Sequence, residues 1–208
     1  MTGGELDDRS VTEAICAAFV PLLEATPGYL GVVVVVDRER RVLRGVSFWD
    51  GEESRDRSRP AVLAAVGETR KLTPVEFEGP WDYEVAYSRF RGPVTPPPGT
   101  GEQPPMLVRV GQIEGGDAAD PGLVEVMKRY AATVVAPSPG CVGTLLLVDR
   151  DRPEVLGAAL WADAVAAHRM DRAGDVAVQA LAEGAGSVSF GRHGYEVLVS
   201  RPMTQLVD

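Results

Sequence analysis

PGYLGVVVVVDRERRVLRGVSFW (27–49) and PGCVGTLLLVDRDRPEVLGAALW (139–161) are one phrase written twice. With no gap, an offset of 112 positions (27 to 139) carries Pro27, Gly28, Gly31, Val36, Asp37, Arg38, Arg40, Gly45 and Trp49 onto identical residues. The same offset lays YEVAYSR (83–89) on YEVLVSR (195–201). Within the phrase, LGVVVVVD (30–37) is too short for a buried helix and rich in β-branched residues. A valine run without alternation predicts a strand covered on both faces. Asp37–Arg41 reads as a polar hairpin turn, and VLRGVSFW (42–49) as the returning strand.

Working outward, Ser10-Val11-Thr12-Glu13 has the spacing of a capping box ahead of an apolar stripe, which predicts a helix start. Pro21 is expected to kink or shorten that helix, because it lacks the backbone donor. Residues 52–69 read as a second helix broken near Arg59-Pro60, and 82–90 as a closing strand. In the second copy a strand is expected at 106–113. Asp120 as cap and Pro121 in the first turn start a helix with Val124, Met127, Ala131 and Val134 as its buried stripe. Strands at 141–149 and 154–161, a helix over 162–183 and a strand at 195–201 complete β-α-β-β-α-β, the ferredoxin-like arrangement. GRHG (191–194) reads as turn-like.

The expected fold class is therefore α+β. Two tandem ferredoxin-like repeats, 11–90 and 106–202, pack sheet to sheet as an intramolecular α/β barrel, so that each buries the face the other would expose. Between them RGPVTPPPGTGEQPP (91–105), with six prolines, reads as an extended spacer reaching about 45 Å. The counterpart of strand 106–113 would fall before residue 1, so repeat 1 lacks its first strand. Val94-Thr95, the tail 203–208 or a neighbouring chain are the segments available to complete that sheet.

With 45% hydrophobic residues and 25% charged ones, the 208-residue chain has the makings of a soluble globular core. A net charge of −9 argues against a nucleic-acid surface, and the runs DRERR (37–41) and SRDRSR (54–59) are interleaved with acids as solvated faces are. No apolar run approaches a membrane span, and the acidic start MTGGELDDRS is not a secretory signal. Cys16 and Cys141 occupy different positions in the two copies, which fits reduced thiols in a cytoplasmic protein.

The pattern of PG-(Y/C)-x-G, an apolar strand, a hairpin ending in Trp, a helix and a closing YEV strand resembles the dimeric α/β-barrel superfamily, and within it the antibiotic-biosynthesis monooxygenase-like domains. The resemblance covers about 11–90 and 106–201. Single-repeat members close the barrel as homodimers, so a fused tandem implies a monomer or a homodimer. The quinone-forming members oxidise phenolic aromatics with oxygen and with neither metal nor flavin. The resemblance thus implies no cofactor and a small apolar or aromatic ligand held in a dry cavity.

Trp49 and Trp161 match the Trp that ends the second hairpin strand in that family. By strand alternation Gly45 and Ser47 share a face with Trp49, and Gly157 and Ala159 with Trp161. Small residues beside a Trp make a pocket floor with an aromatic wall, or equally let a helix pack closely while the Trp plugs the core. The quinone-forming branch carries an Asn four residues before this Trp, where this chain has Gly45 and Gly157. Tyr83 and Tyr195, matched on the closing strands, are candidates for a barrel-end hydrogen bond or for pocket walls. The Trp and His of the haem-degrading branch would fall near Ser58/Met170 and Glu68/Ala180, and neither copy supplies them. Related tandem barrels hold haem with one axial His in the second half, which would make His168 the ligand, whereas a lone helical His is ordinarily a surface residue. His193 lies in the turn-like GRHG. No His, Cys or carboxylate spacing suits a metal, and no glycine-rich phosphate loop is present.

Overall fold

A computed structural model describes residues 9–37, 39–40, 42–72, 81–91, 106–171 and 189–201, with backbone alone at 9–15, 68–72, 190 and 198–201. In chain order the elements are α1 (Arg9–Glu24), β1 (Tyr29–Asp37), β2 (Val42–Trp49), α2 (Glu52–Leu72), β3 (Glu84–Phe90), β4 (Leu107–Glu114), α3 (Pro121–Tyr130), β5 (Cys141–Asp149), β6 (Glu154–Trp161), α4 (described over 164–171) and β7 (Ser189–Arg201). They fall into two compact units. The first holds α1, β1, β2, α2 and the end of β7 from Val197; the second holds β3 to β6, α3, α4 and β7 as far as Glu196.

In the first unit β1 and β2 form an antiparallel hairpin, and the strand order is β2-β1-β7. Gly31 to Val36 are all buried, as an uninterrupted valine run requires. Val20 and Leu23 of α1 pack with Val32 and Val34 of β1, and Phe19, Tyr29, Trp49 and Val62 seal that cluster.

In the second unit the order is β7-β4-β6-β5-β3, with each described pair antiparallel. Its succession β4-α3-β5-β6-α4-β7 is β-α-β-β-α-β. The core on the helix side joins Ile113, Val124, Met127, Leu146, Val148 and Val155. β3 lies in the first copy by sequence, yet it pairs with β5.

Local geometry recurs at the 112-residue offset. Gly28 and Gly140 both take positive φ, +86° and +81°. At each, an added Cβ would strike the corresponding residue of the next helix, Ser54 or Ala166. Tyr29 faces Trp49 and Cys141 faces Trp161, each just before a bulge. Asp37 Oδ1 accepts the Arg40 N–H at 2.9 Å, and Asp149 Oδ1 accepts the Arg152 N–H at 2.9 Å.

Several sequence expectations need correction. α2 runs unbroken through Pro60, while α1 passes Pro21 and ends at Glu24, one turn later. Both prolines are exposed, as are Ala17 and Asp56 one turn earlier, so the carbonyls they leave unbonded can face water. α3 does not continue regularly: Ala131–Val135 form a π-helical segment. Its extra residue turns Val134 out to solvent and brings Val135 inward in its place. GRHG is no turn, because Gly191 to Gly194 pair with Gln112 to Arg109, and β7 starts at Ser189. The side chains of the Ser10–Glu13 box, the last part of the helix predicted over 162–183, most of the spacer and the tail 203–208 lie outside the described residues.

Candidate functional site

β4 and β6 lie side by side in the second unit, and their helix-facing residues are small where the two strands meet. Gly111 pairs with Gly157, and Arg109 with Ala159. On the other side of β6, Leu146 pairs with Gly157 and Thr144 with Ala159. Alternation puts Trp161 and Ile113 on the same face. An added Cβ at Gly157 would meet only the Gly111 carbonyl oxygen and Leu146 Cδ1, both at 4.0 Å, so the floor has room for a side chain there.

α3, its π-helical extension and α4 cover this face with Met127, Tyr130, Ala131, Val135, Ala167 and Met170, and a partly open cavity of about 120 Å³ remains beneath them. Asp163 starts α4 by accepting the Ala166 N–H at 2.8 Å, which fixes the helix against the end of β6. Cys141 packs beside Trp161, and burial pushes its thiol pKa up. Cys16 and Cys141 form no disulfide.

The cavity wall is apolar except at Arg109, Arg192, Thr144, Tyr130 and Trp161. Trp161 is 2% exposed and its indole Nε1 has no hydrogen-bond partner; Thr144 is 1% exposed and its hydroxyl has none. Arg109 Nε is buried and unpartnered as well. A buried polar group left without a partner costs about 1–3 kcal/mol.

On the open side Asp171 stands between the two arginines. Its Oδ2 is 3.4 Å from Arg109 Nη2, and its Oδ1 is 3.1 Å from Arg192 Nη2. Arg192 Nη1 also donates to the Asp171 carbonyl at 3.0 Å. Arg109 passes over Gly194, where an added Cβ would collide with its Nη1.

The residues singled out from sequence separate cleanly. Trp161, Gly157 and Ala159 line the cavity together. Trp49, Gly45 and Ser47 share a face in the first unit, where Gly45 is exposed and Ser47 and Trp49 are half-buried. The indole of Trp49 donates to Ser47 Oγ at 3.0 Å, and Tyr29 meets Trp49 edge-on at 5.7 Å. Phe19 Cε1 lies 3.9 Å from where a Cβ on Gly45 would be, at ordinary van der Waals range.

Tyr83 lies off the cavity, at the β5–β6 turn. Its hydroxyl donates to Glu154 Oε2 at 3.0 Å and accepts from Arg152 at 3.2 Å, while the Arg152 guanidinium covers its ring and that of Trp81. Burial, then the charge of Glu154 and the bond to it, push the Tyr83 pKa up to about 12. Tyr195 is buried on the opposite face of β7 from Arg192 and Gly194, near His193.

His168 is exposed and is not part of the cavity wall. Its Nδ1 is 2.6 Å from the Ala164 carbonyl, and its Nε2 faces Arg109 Nη2 at 3.5 Å. The residue that would be the haem ligand thus stands outside the lining, beside a guanidinium. Among the described residues no three His, Cys or carboxylate groups come together as a metal site. No described helix is long and apolar enough to cross a membrane.

Sequence reasoning missed Arg109, Arg192, Thr144 and Tyr130. Arg109 did leave a signal: it is the one charge inside the apolar alternation of LVRVGQI (107–113), on the same face as Gly111.

No protein-family model matches the chain, and neither does any curated protein sequence. Solved structures do resemble it. A provisionally named monooxygenase from Fusobacterium nucleatum matches with a TM-score of 0.71 at 12% identity, over 98% of this chain and 91% of that one. An anthrone oxidase-like protein matches at 0.56 and 15% identity, over 95% and 90%. A ferredoxin-fold protein from Listeria monocytogenes, related to antibiotic biosynthesis monooxygenases, matches at 0.52 and 14%, over 94% and 90%. The fold is ferredoxin-like. Its structural neighbours are of the antibiotic-biosynthesis monooxygenase type, and identities this low establish the fold alone.

Proposed function

We propose that the chain is a monooxygenase-like enzyme that acts on an apolar aromatic small molecule without a resident cofactor, in the cavity of the second unit. The observation that carries this reading is the cavity itself: a floor of Gly111, Gly157 and Ala159, a wall of Trp161, and buried donors without partners. For scale, a dry cavity of about 150 Å³ holds a benzene ring, so the volume here suits one ring inside with the remainder of a larger molecule on the open side. On an anthrone-type substrate the methylene carbon gains one oxygen atom of O₂. Its two hydrogens leave with the other oxygen as water, which balances the reaction.

The recurrences at the 112-residue offset support reading the chain as an internal duplication, 11–90 and 106–202 joined by 91–105, that makes within one chain the barrel which single-repeat relatives make as dimers. On this reading the second copy keeps the working pocket. The protein acts in the cytoplasm as a monomer or a homodimer. The alternative is a non-catalytic binder on the same scaffold. It is favoured by a cavity lining that offers no carboxylate or imidazole, among the described residues, to take up a proton.

Oxygen consumption with anthrone, for the wild type, Trp161→Phe and Gly157→Leu, decides between the two. Uptake above the uncatalysed rate that falls in both variants supports the enzyme. Anthrone that binds and is blocked by Gly157→Leu, with no uptake, leaves the binder.

A further inference from the structure

We infer that Thr144 is a specificity-determining residue of the cavity: its hydroxyl forms a hydrogen bond with an oxygen carried on the ligand's ring, and so selects oxygenated rings over hydrocarbon ones. This rests on the reading of the cavity as an aromatic-binding site and names the group that chooses among aromatics. Thr144 is 1% exposed and lines the cavity, and its Oγ1 has no hydrogen-bond partner. It is the one hydroxyl-bearing residue of β5, CVGTLLLVD, and Leu146 and Val148 on the same face belong to the apolar core. A buried hydroxyl in such a place loses its water and gains no bond from the protein. The duplication supplies a control. The 112-residue offset lays Thr144 on Val32, which is fully buried and packs with Val20, Leu23 and Val34. Valine has the outline of threonine with a methyl group in place of the hydroxyl. The fold thus accepts the apolar residue at this position, and the hydroxyl stands in the copy where it faces a cavity.

Register places the ligand atom. Thr144 is directly opposite Ala159, so Trp161 is its neighbour on the diagonal, about 7–8 Å away. Ala159, beside both, lines the cavity with no more than a methyl group, and Trp161 Nε1 is a second buried group without a partner. A ring oxygen above Ala159 can meet the two together. A carbonyl accepts from each, and a phenol accepts from the indole while donating to Thr144. Arg109 lies on the other side of Ala159, two strand spacings or about 9.5 Å from Thr144. That end holds a buried donor and a buried acceptor without hydrogen-bond partners, Arg109 Nε and Asp171 Oδ1, and the selection by Thr144 is independent of both.

The test is equilibrium dialysis of the full chain with 2-naphthol and 2-methylnaphthalene, two molecules of one shape that differ in the hydroxyl. An apolar cavity by itself favours the methyl compound, which has less to lose on leaving water. In the wild type the naphthol should nevertheless bind about fivefold or more tighter, the worth of one net hydrogen bond. Thr144→Val should bring the ratio of the two affinities to one or below without lowering the thermal unfolding midpoint, because the variant buries no idle hydroxyl. Thr144→Ser, which keeps the hydroxyl, should keep the preference. A wild type that does not favour the naphthol, a preference that Thr144→Val keeps or Thr144→Ser loses, or a lower midpoint in Thr144→Val overturns the inference and leaves the aromatic site standing. Failure of both compounds to bind, or binding that Gly157→Leu does not weaken, removes the aromatic site and the inference with it.

Discussion

At residue 159 the two halves of the chain part company. Ser47, at the matching place in the first unit, gives the indole of Trp49 its acceptor; Ala159 gives Trp161 nothing. One missing hydroxyl therefore separates a satisfied core tryptophan from a buried donor beside a cavity. Ala159→Ser should supply that acceptor, raising stability by about 1 kcal/mol in denaturant unfolding while weakening aromatic ligands. A variant that is no more stable would mean that Trp161 cannot reach the new hydroxyl. The pairing of a Trp with small residues two and four places before it was legible, because strand alternation is a rigid rule. The arginines were not. Arg109 finds Asp171 across 62 positions and Arg192 finds it across 21, and no local spacing records such meetings.

Among the elements, strands and hairpins were the easiest to read, since runs of Val and Leu bounded by charged turns admit few alternatives. The β5–β6 turn is the best tied of them. The buried carboxylate of Asp149 accepts the N–H groups of Asp151 and Arg152 at 3.0 and 2.9 Å and the Arg152 side chain at 2.7 Å. Burial alone would raise its pKa, but the bonds from Arg152 and Asp151 hold it below the ordinary carboxylate value of 3.8. A group favoured in its charged form by folding contributes fully above about pH 4, and that contribution is lost as pH falls through the folded-state value. Asp149→Ala should accordingly cost about 1–3 kcal/mol at neutral pH, and progressively less as the medium is taken toward pH 3. A penalty that stays constant over that range would exclude this account. Helix irregularities were the hardest to read. Nothing in AATVV (131–135) announces a π-helical segment, and the rule that proline ends a helix fails where the freed carbonyl can turn to water.

For the molecule as a whole, the βαββαβ succession of the second half followed from the sequence, but the destination of the closing strands did not. β3 joins β5, and the end of β7 belongs with β1 and β2. Repetition in a sequence says which segments are alike and is silent on which of them exchange partners. A chain ending at Glu196 should therefore lose hydrogen-exchange protection along β1 while β5 keeps its own. Unchanged protection in β1 would show that the end of β7 contributes nothing there.

This exchange of strands has a consequence for heredity. Each compact unit takes segments from both sides of the spacer, so a recombination event there would hand every descendant two units with one foreign strand apiece. Halves of different ancestry would have to match in two places at once.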